Sequence, residues 1–119
     1  MAETVKKTFG KLVKCTDRAT GRPYDGWRLN YLDKPGLIII GRSEKKHPGK
    51  CFAILFPFGD DIFLKYMRTS CGDMAISDDG CRITTERSIY EYEFGDFGFD
   101  ELAKTELCIN VLLSYEELF

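Results

Sequence analysis

No apolar run in this chain approaches the roughly 18 residues that a membrane-spanning helix needs, so no such helix is expected in it. The first ten residues, MAETVKKTFG, lack the apolar core of a secretory signal, and no lipidation motif is present. The expected compartment is therefore the cytoplasm. Histidine is almost missing, with His47 alone in 119 residues, which leaves any cysteine or serine nucleophile only one imidazole to act as its base. Proline occurs only four times and there is neither an internal repeat nor a low-complexity stretch, so a solenoid and a Pro-rich linker are both excluded. Cysteine is present but unpaired in pattern: Cys15, Cys51, Cys71, Cys81 and Cys108 are odd in number and form no CxxC. A secreted disulfide scaffold would show an even set in a shorter chain, so these thiols are expected to be reduced.

What is present is aliphatic and aromatic. With 44% hydrophobic and 30% charged residues, the composition is that of a soluble globular protein, and the length suits a single domain over 1–119, with residues 1–6 expected to fray. The densest stretch is Lys50 to Arg68. Phe52, Ile54, Phe56 and Phe58 alternate there with Cys51, Ala53 and Leu55, so neither face is polar. Such a strand belongs in the middle of a sheet, covered on both sides. Gly59-Asp60-Asp61 separates it from a second run, Ile62 to Met67, and the pair reads as a central hairpin, with Pro57 pushing the first strand's end toward an edge.

Other segments fit the same class. Thr8 to Thr16 reads as a first strand, Asp17 to Gly26 as a polar loop, and Trp27, Leu29 and Tyr31 as one face of a half-buried strand. Asp33-Lys34-Pro35-Gly36 has the form of a type II turn with Gly36 in third place. Leu37 to Ile40 is apolar on both faces and should lie beside the central hairpin. Met74 to Ser77 is a short strand, Asp78-Asp79-Gly80 a hairpin turn, and Cys81 to Phe94 the longest strand, its Ser88, Tyr90, Tyr92 and Phe94 opposite Ile89, Glu91 and Glu93. Asp100 is placed to cap a helical turn through Lys104. From Thr105 to Tyr115 the alternation favours a strand over a helix, although Leu112 breaks it. The expected fold is mainly β, verging on α+β: about eight short antiparallel strands in a barrel, roll or compact sandwich, with at most one short helix near the C-terminal segment.

The net charge of −2 conceals a split. Residues 1–72 carry fourteen Lys and Arg against seven Asp and Glu, whereas 73–119 carry three against twelve. Interleaved antiparallel strands would pair these charges across the sheet; segregated halves would instead give one acidic and one basic surface.

Catalytic signatures are absent. Asp96-Phe97-Gly98 matches the magnesium tripeptide of kinases, but no Gly-rich loop precedes it, and Gly41 to Lys50 lacks phosphate-loop spacing. His47, Cys51, Cys71 and Cys81 are soft metal ligands by type, yet only the first two have zinc-like spacing. Neither a resident metal nor a cofactor is expected, and an enzyme built on a carboxylate pair or on Cys51 and His47 is the third-ranked reading. The first is a non-enzymatic binding module, a small inhibitor or regulator that docks on a protein through an acidic and aromatic surface: Tyr90, Glu91, Tyr92, Glu93, Asp96, Phe97, Phe99, Asp100 and Glu101. There aromatics would anchor and charges steer, as in mimicry of a nucleic-acid backbone. The second is a nucleic-acid-binding barrel using Arg42, Lys45, Lys46, His47 and Lys50 with Arg28 and Trp27, against which a pI near 5.4 counts.

Overall fold

A computed structural model describes residues 2–23, 26–44, 47–59 and 65–114. The fold is mainly antiparallel β. Among the described residues seven strands form one sheet: β1 (Ala2–Asp17), β2 (Gly36–Ser43), β3 (Cys51–Pro57), β4 (Met67–Arg68), β5 (Asp73–Ile76), β6 (Gly80–Thr84) and β7 (Ser88–Phe94), in the order β4-β3-β2-β1-β7-β6-β5. One α-helix among the described residues, α1 (Glu101–Ser114), follows.

β1 organises the sheet. Its first half pairs with β2, from Ala2 opposite Ser43 to Gly10 opposite Gly36, and its second half with β7, from Gly10 opposite Phe94 to Asp17 opposite Ser88. Register shifts at Val5 and Val13 bend and twist it. Residues 2–6, expected to fray, are thus strand, held by the β2 ladder and by Glu3 against Arg42.

The strands apolar on both faces lie where their composition puts them. β3 is buried along its whole length, sits between β2 and β4, and pairs with β2 from Arg42–Cys51 to Gly36–Pro57. Alternate residues feed two cores. Ile38, Ile40, Ala53 and Leu55 join Leu12, Cys15, Met67, Cys81, Ile83, Tyr90 and Tyr92 on the inner face. Leu37, Ile39, Phe52, Ile54 and Phe56 face the other way, against Val111, Leu107 and Cys108 of α1. The inner cluster draws on strands from both ends of the order, so the sheet curls around it. The edge strands β4 and β5 nevertheless share no ladder among the described residues, and the sheet is not closed into a barrel. A backbone bridge between Cys51 and Gly72 ties the β4–β5 junction to the start of β3. Part of the turn of the expected central hairpin and the start of its second run, together 60–64, lie outside the described residues; beyond them β4 pairs with β3, Ile54 opposite Arg68 and Leu55 opposite Met67.

Four local expectations are corrected. Trp27–Tyr31 is a 3-10 helix rather than a strand. Only Tyr31 turns inward, its hydroxyl donating to the Tyr66 carbonyl at 3.0 Å, and the segment meets neighbouring β1 through a single bridge, Leu12 to Leu32. Gly36 does not make a type II turn, since the left-handed residue is Asp33, with φ 58°. Glycine is needed at 36 because a Cβ would strike the Phe56 carbonyl and Pro57 of β3. Cys81 to Phe94 is two strands, because the Thr85 hydroxyl donates to the Ser88 carbonyl and accepts the Ser88 N–H, both at 3.0 Å, closing a turn over 85–88. Thr105 to Tyr115 is not a strand: 105–114 belongs to α1, and 115 lies outside the described residues. The Asp100 Oδ1 accepts the Ala103 N–H at 2.8 Å and so caps the helix. Lys104, Leu107, Cys108 and Val111 then face the sheet with helical spacing.

Candidate functional site

The acidic and aromatic run of 90–101 divides between the interior and the surface. Tyr90 and Tyr92, expected at the contact surface, are core residues at 1% and 3% exposure. The even positions of β7 point inward, and burial holds the Tyr92 hydroxyl well above the ordinary tyrosine pKa. Glu91 lies opposite Lys14 of β1 and Arg82 of β6, and Glu93 opposite Lys11. The basic first part of the chain and the acidic second part therefore interleave along this ladder, as cross-strand complementarity favours.

Beyond β7 the same run builds the junction to α1. Phe97 takes a left-handed conformation with φ 51° and lies under the Lys11 ammonium, 4.6 Å from the ring centre. Phe99 stacks on Phe58 at 3.9 Å. The Asp96 carboxylate accepts the Gly98 N–H and meets the Lys104 ammonium at 3.4 Å; both partners hold its pKa below the usual carboxylate value. Glu101 reaches Lys104 from the other side at 2.6 Å. Asp96, Phe97, Phe99, Asp100 and Glu101 thus all have local roles, and Glu93 is the exposed carboxylate of the run that remains.

Just past this junction lie four of the eight large hydrophobic side chains that are exposed among the described residues. Leu102, Ile109, Leu112 and Leu113 of α1 are 68%, 50%, 61% and 78% exposed. At 3.6 residues per turn, Leu102, Ile109 and Leu113 fall within roughly 40° of one another on the helix, with Leu112 alongside. Glu101 and Glu106 flank this stripe on either side. It is the face opposite the one packed on β2 and β3. The strand expected over 105–115 hides this stripe; the signal for it in the sequence is Leu102, Ile109 and Leu113 at helical spacing with Glu101 and Glu106 at its margins.

The basic set is only partly assembled. Arg42 is engaged by Glu3 at 3.4 Å, and Lys50 by Asp73, whose pKa the Lys50 hydrogen bond lowers; Lys45 and Lys46 lie outside the described residues. Trp27 and Arg28 do meet, the guanidinium lying 4.8 Å from the indole centre. Of the soft ligands, Cys51 and Cys81 are buried, and burial raises the Cys81 thiol to about 12. Among the described residues no three of His, Cys, Asp and Glu gather as a metal site, and no helix is long and apolar enough to cross a membrane.

No family model, no curated protein and no solved structure matches this chain.

Proposed function

We propose that this protein is a non-enzymatic docking module that regulates or inhibits a partner protein by seating the outer face of α1 in a groove on that partner. The observation that carries this reading is the four-residue aliphatic stripe left uncovered on a helix whose other face is fully used by the sheet. Contiguous exposed apolar surface of this kind marks interaction sites. Its spacing is that of helix-in-groove recognition, with anchors one and two turns apart.

The size of the stripe argues for a groove over a second copy of the chain. Fully burying a Leu or Ile removes on the order of 100 Å² from water, so four give about 400 Å², half of the ~800 Å² per partner in a stable flat interface. A groove that wraps the helix adds contact along both flanks. Those flanks carry Glu101 and Glu106, so the expected rim is basic, and the charges would chiefly speed and orient the encounter. The acidic run expected to make the contact thus contributes its final residue, Glu101, and the helix supplies the anchors.

The test uses the full chain and its Ile109→Lys and Leu113→Asp variants, whose side chains project from the surface and leave the fold's melting temperature unchanged. The wild type is expected to retain a nuclease-resistant protein partner that both variants lose, and to elute as a monomer. Retention of the partner by both variants overturns the placement. A concentration-dependent dimer abolished by Leu113→Asp replaces the groove with a second copy, and capture that disappears on nuclease treatment favours the nucleic-acid reading.

A further inference from the structure

β5 is one rim of the curled sheet, and its ladder fixes where its backbone points. The Ser77 N–H donates to the Gly80 carbonyl at 2.9 Å, and the register sets Ala75 opposite Arg82 and Asp73 opposite Thr84. In an antiparallel ladder only alternate residues bond to the neighbouring strand. Asp73, Ala75 and Ser77 therefore direct their N–H and C=O groups to β6. Those of Met74 and Ile76 point the other way, to a side on which no described strand lies. Gly72 has the same parity and is paired. Its N–H donates to the Cys51 carbonyl at 2.8 Å, and its carbonyl accepts the Cys51 N–H at 2.9 Å. On this rim β3 thus begins a ladder with the chain leading into β5, and among the described residues it stops after one bridge.

Sheet edges are usually guarded by Lys, Pro, a bulge or mere shortness. The opposite rim, β4, has two residues, and the Arg68 guanidinium lies 4.1 Å from the Phe52 ring centre. β5 has four residues in unbroken register, and neither Lys nor Pro occurs from 73 to 79. On its inner side Met74 packs at the margin of the core, whereas Ile76 is 44% exposed. A shallow hollow of about 250 Å³ beside Ile76 and Cys81 has room for a further side chain. The charges differ along the strand. Asp73 is bonded to Lys50, with Arg18 nearby, and Arg82 stands opposite Glu91. At the other end Asp78 and Asp79 are exposed, and neither carboxylate has a hydrogen bond or ion pair with a described residue. The cation on that side, Lys6, covers the Phe94 ring at 5.0 Å.

We propose that the open edge of β5 binds an extended segment of a partner protein as an added strand. The segment is apolar at alternate positions and carries Lys or Arg where it passes Asp78 and Asp79. The N–H and C=O groups of Met74 and Ile76 supply the main-chain bonds, and the side chains beside Ile76 supply selectivity. A second copy of the chain suits this edge less well, because it would bring another Asp73, Asp78 and Asp79 against the first set. The edge is separate from the outer face of α1, so either reading can fail without the other.

The probe is a blocked hexapeptide alternating lysine with valine, titrated into the full chain and followed by amide chemical shifts. Saturable binding is expected. In the complex the Met74 and Ile76 amides should exchange more slowly, while those of Asp73 and Ala75, already bonded to β6, should not change; only strand pairing gives that alternation. The same peptide with glutamate for lysine should bind at least about fivefold more weakly, and Asp78→Asn with Asp79→Asn should narrow that gap. Ile76→Pro removes one outward N–H and none from the β6 ladder, so it should keep the melting temperature and lose the peptide. A linear or absent response, slowed exchange without the alternation, shifts confined to α1, or full binding by Ile76→Pro overturns the proposal. A dimer of the chain alone that protects Met74 and Ile76 overturns it in favour of a second copy.

Discussion

The rings of Phe58 and Phe99 stack at 3.9 Å with their planes 15° apart. Phe9 stacks on the other partner, 5.9 Å from Phe58, so β1, the end of β3 and the entrance to α1 are joined through three aromatic side chains. Removing the last of them should loosen the helix without dissolving the sheet. Phe99→Ala is expected to cost about 1–3 kcal/mol, since the ring is only half-buried. Amide exchange is the measurement: Leu107 to Val111 should speed up far more than β2 and β3. Equal acceleration in both would mean that the helix and sheet unfold together.

Gly36 tests the close approach of β2 and β3. Its Cβ would meet the Phe56 carbonyl and Pro57, which are backbone atoms in a buried ladder and cannot step aside. Gly36→Ala should destabilise by about 1–3 kcal/mol through strain. Gly49→Ala has open space around it but a positive φ of 80°, so it should cost about 1 kcal/mol from conformation alone. Denaturant midpoints compare the two, and a smaller loss at Gly36 would contradict the packing argument.

The five thiols should separate by burial. Cys81, raised to about 12 by desolvation, keeps a thiolate fraction of about 10⁻⁴ at pH 8. Cys15 is raised by burial too, with nearby Arg28 opposing the shift. Brief iodoacetamide treatment of the folded chain, read by peptide mass spectrometry, should modify Cys71 and Cys108, which are partly exposed, well before Cys15 and Cys81. Early labelling of Cys81 would place it outside the core.

The ion cluster at the start of α1 gives a pH window. Asp96 is lowered by the Gly98 N–H and then by Lys104, so its contribution is present above the ordinary Asp value of 3.8 and fades as pH falls through the lower folded value. Lys104 is raised by Glu101 and also by Asp96, against an opposing burial effect; its contribution is present below 10.5 and fades as pH rises through the higher folded value. Between those limits the cluster's contribution should be flat. Melting temperature against pH, compared with Lys104→Met, checks this: the variant should melt lower across neutrality, and the difference should shrink toward both acid and alkaline extremes. An unchanged profile would mean that the cluster is too well solvated to matter.

Much of the sheet was legible residue by residue. Leu37 to Ile40 and Cys51 to Phe56 have no polar face, and only the interior of a covered sheet accommodates that. The Asp78-Asp79-Gly80 hairpin and the Asp100 cap are local chemistry, and local sequence suffices for them. The α1 segment was misread because Leu, Ile, Val and Cys occur on every side of it, so a period of two and a period of 3.6 both fit. The split between β6 and β7 rests on a hydroxyl reaching three residues ahead, which composition does not announce.

The amino-acid order alone determined which stretches must be interior, since apolar side chains on both faces of a strand have no other low-energy place. Tertiary structure alone decided what the surface offers. It turned Tyr90 and Tyr92 inward, engaged Lys50 with Asp73, and left Met74 and Ile76 on an open rim of the sheet. It also gave the sheet one face of α1 and left Leu102, Ile109 and Leu113 to solvent. Those outcomes depend on which segments become neighbours after the sheet curls, and contacts between residues far apart in the chain leave no local period to read.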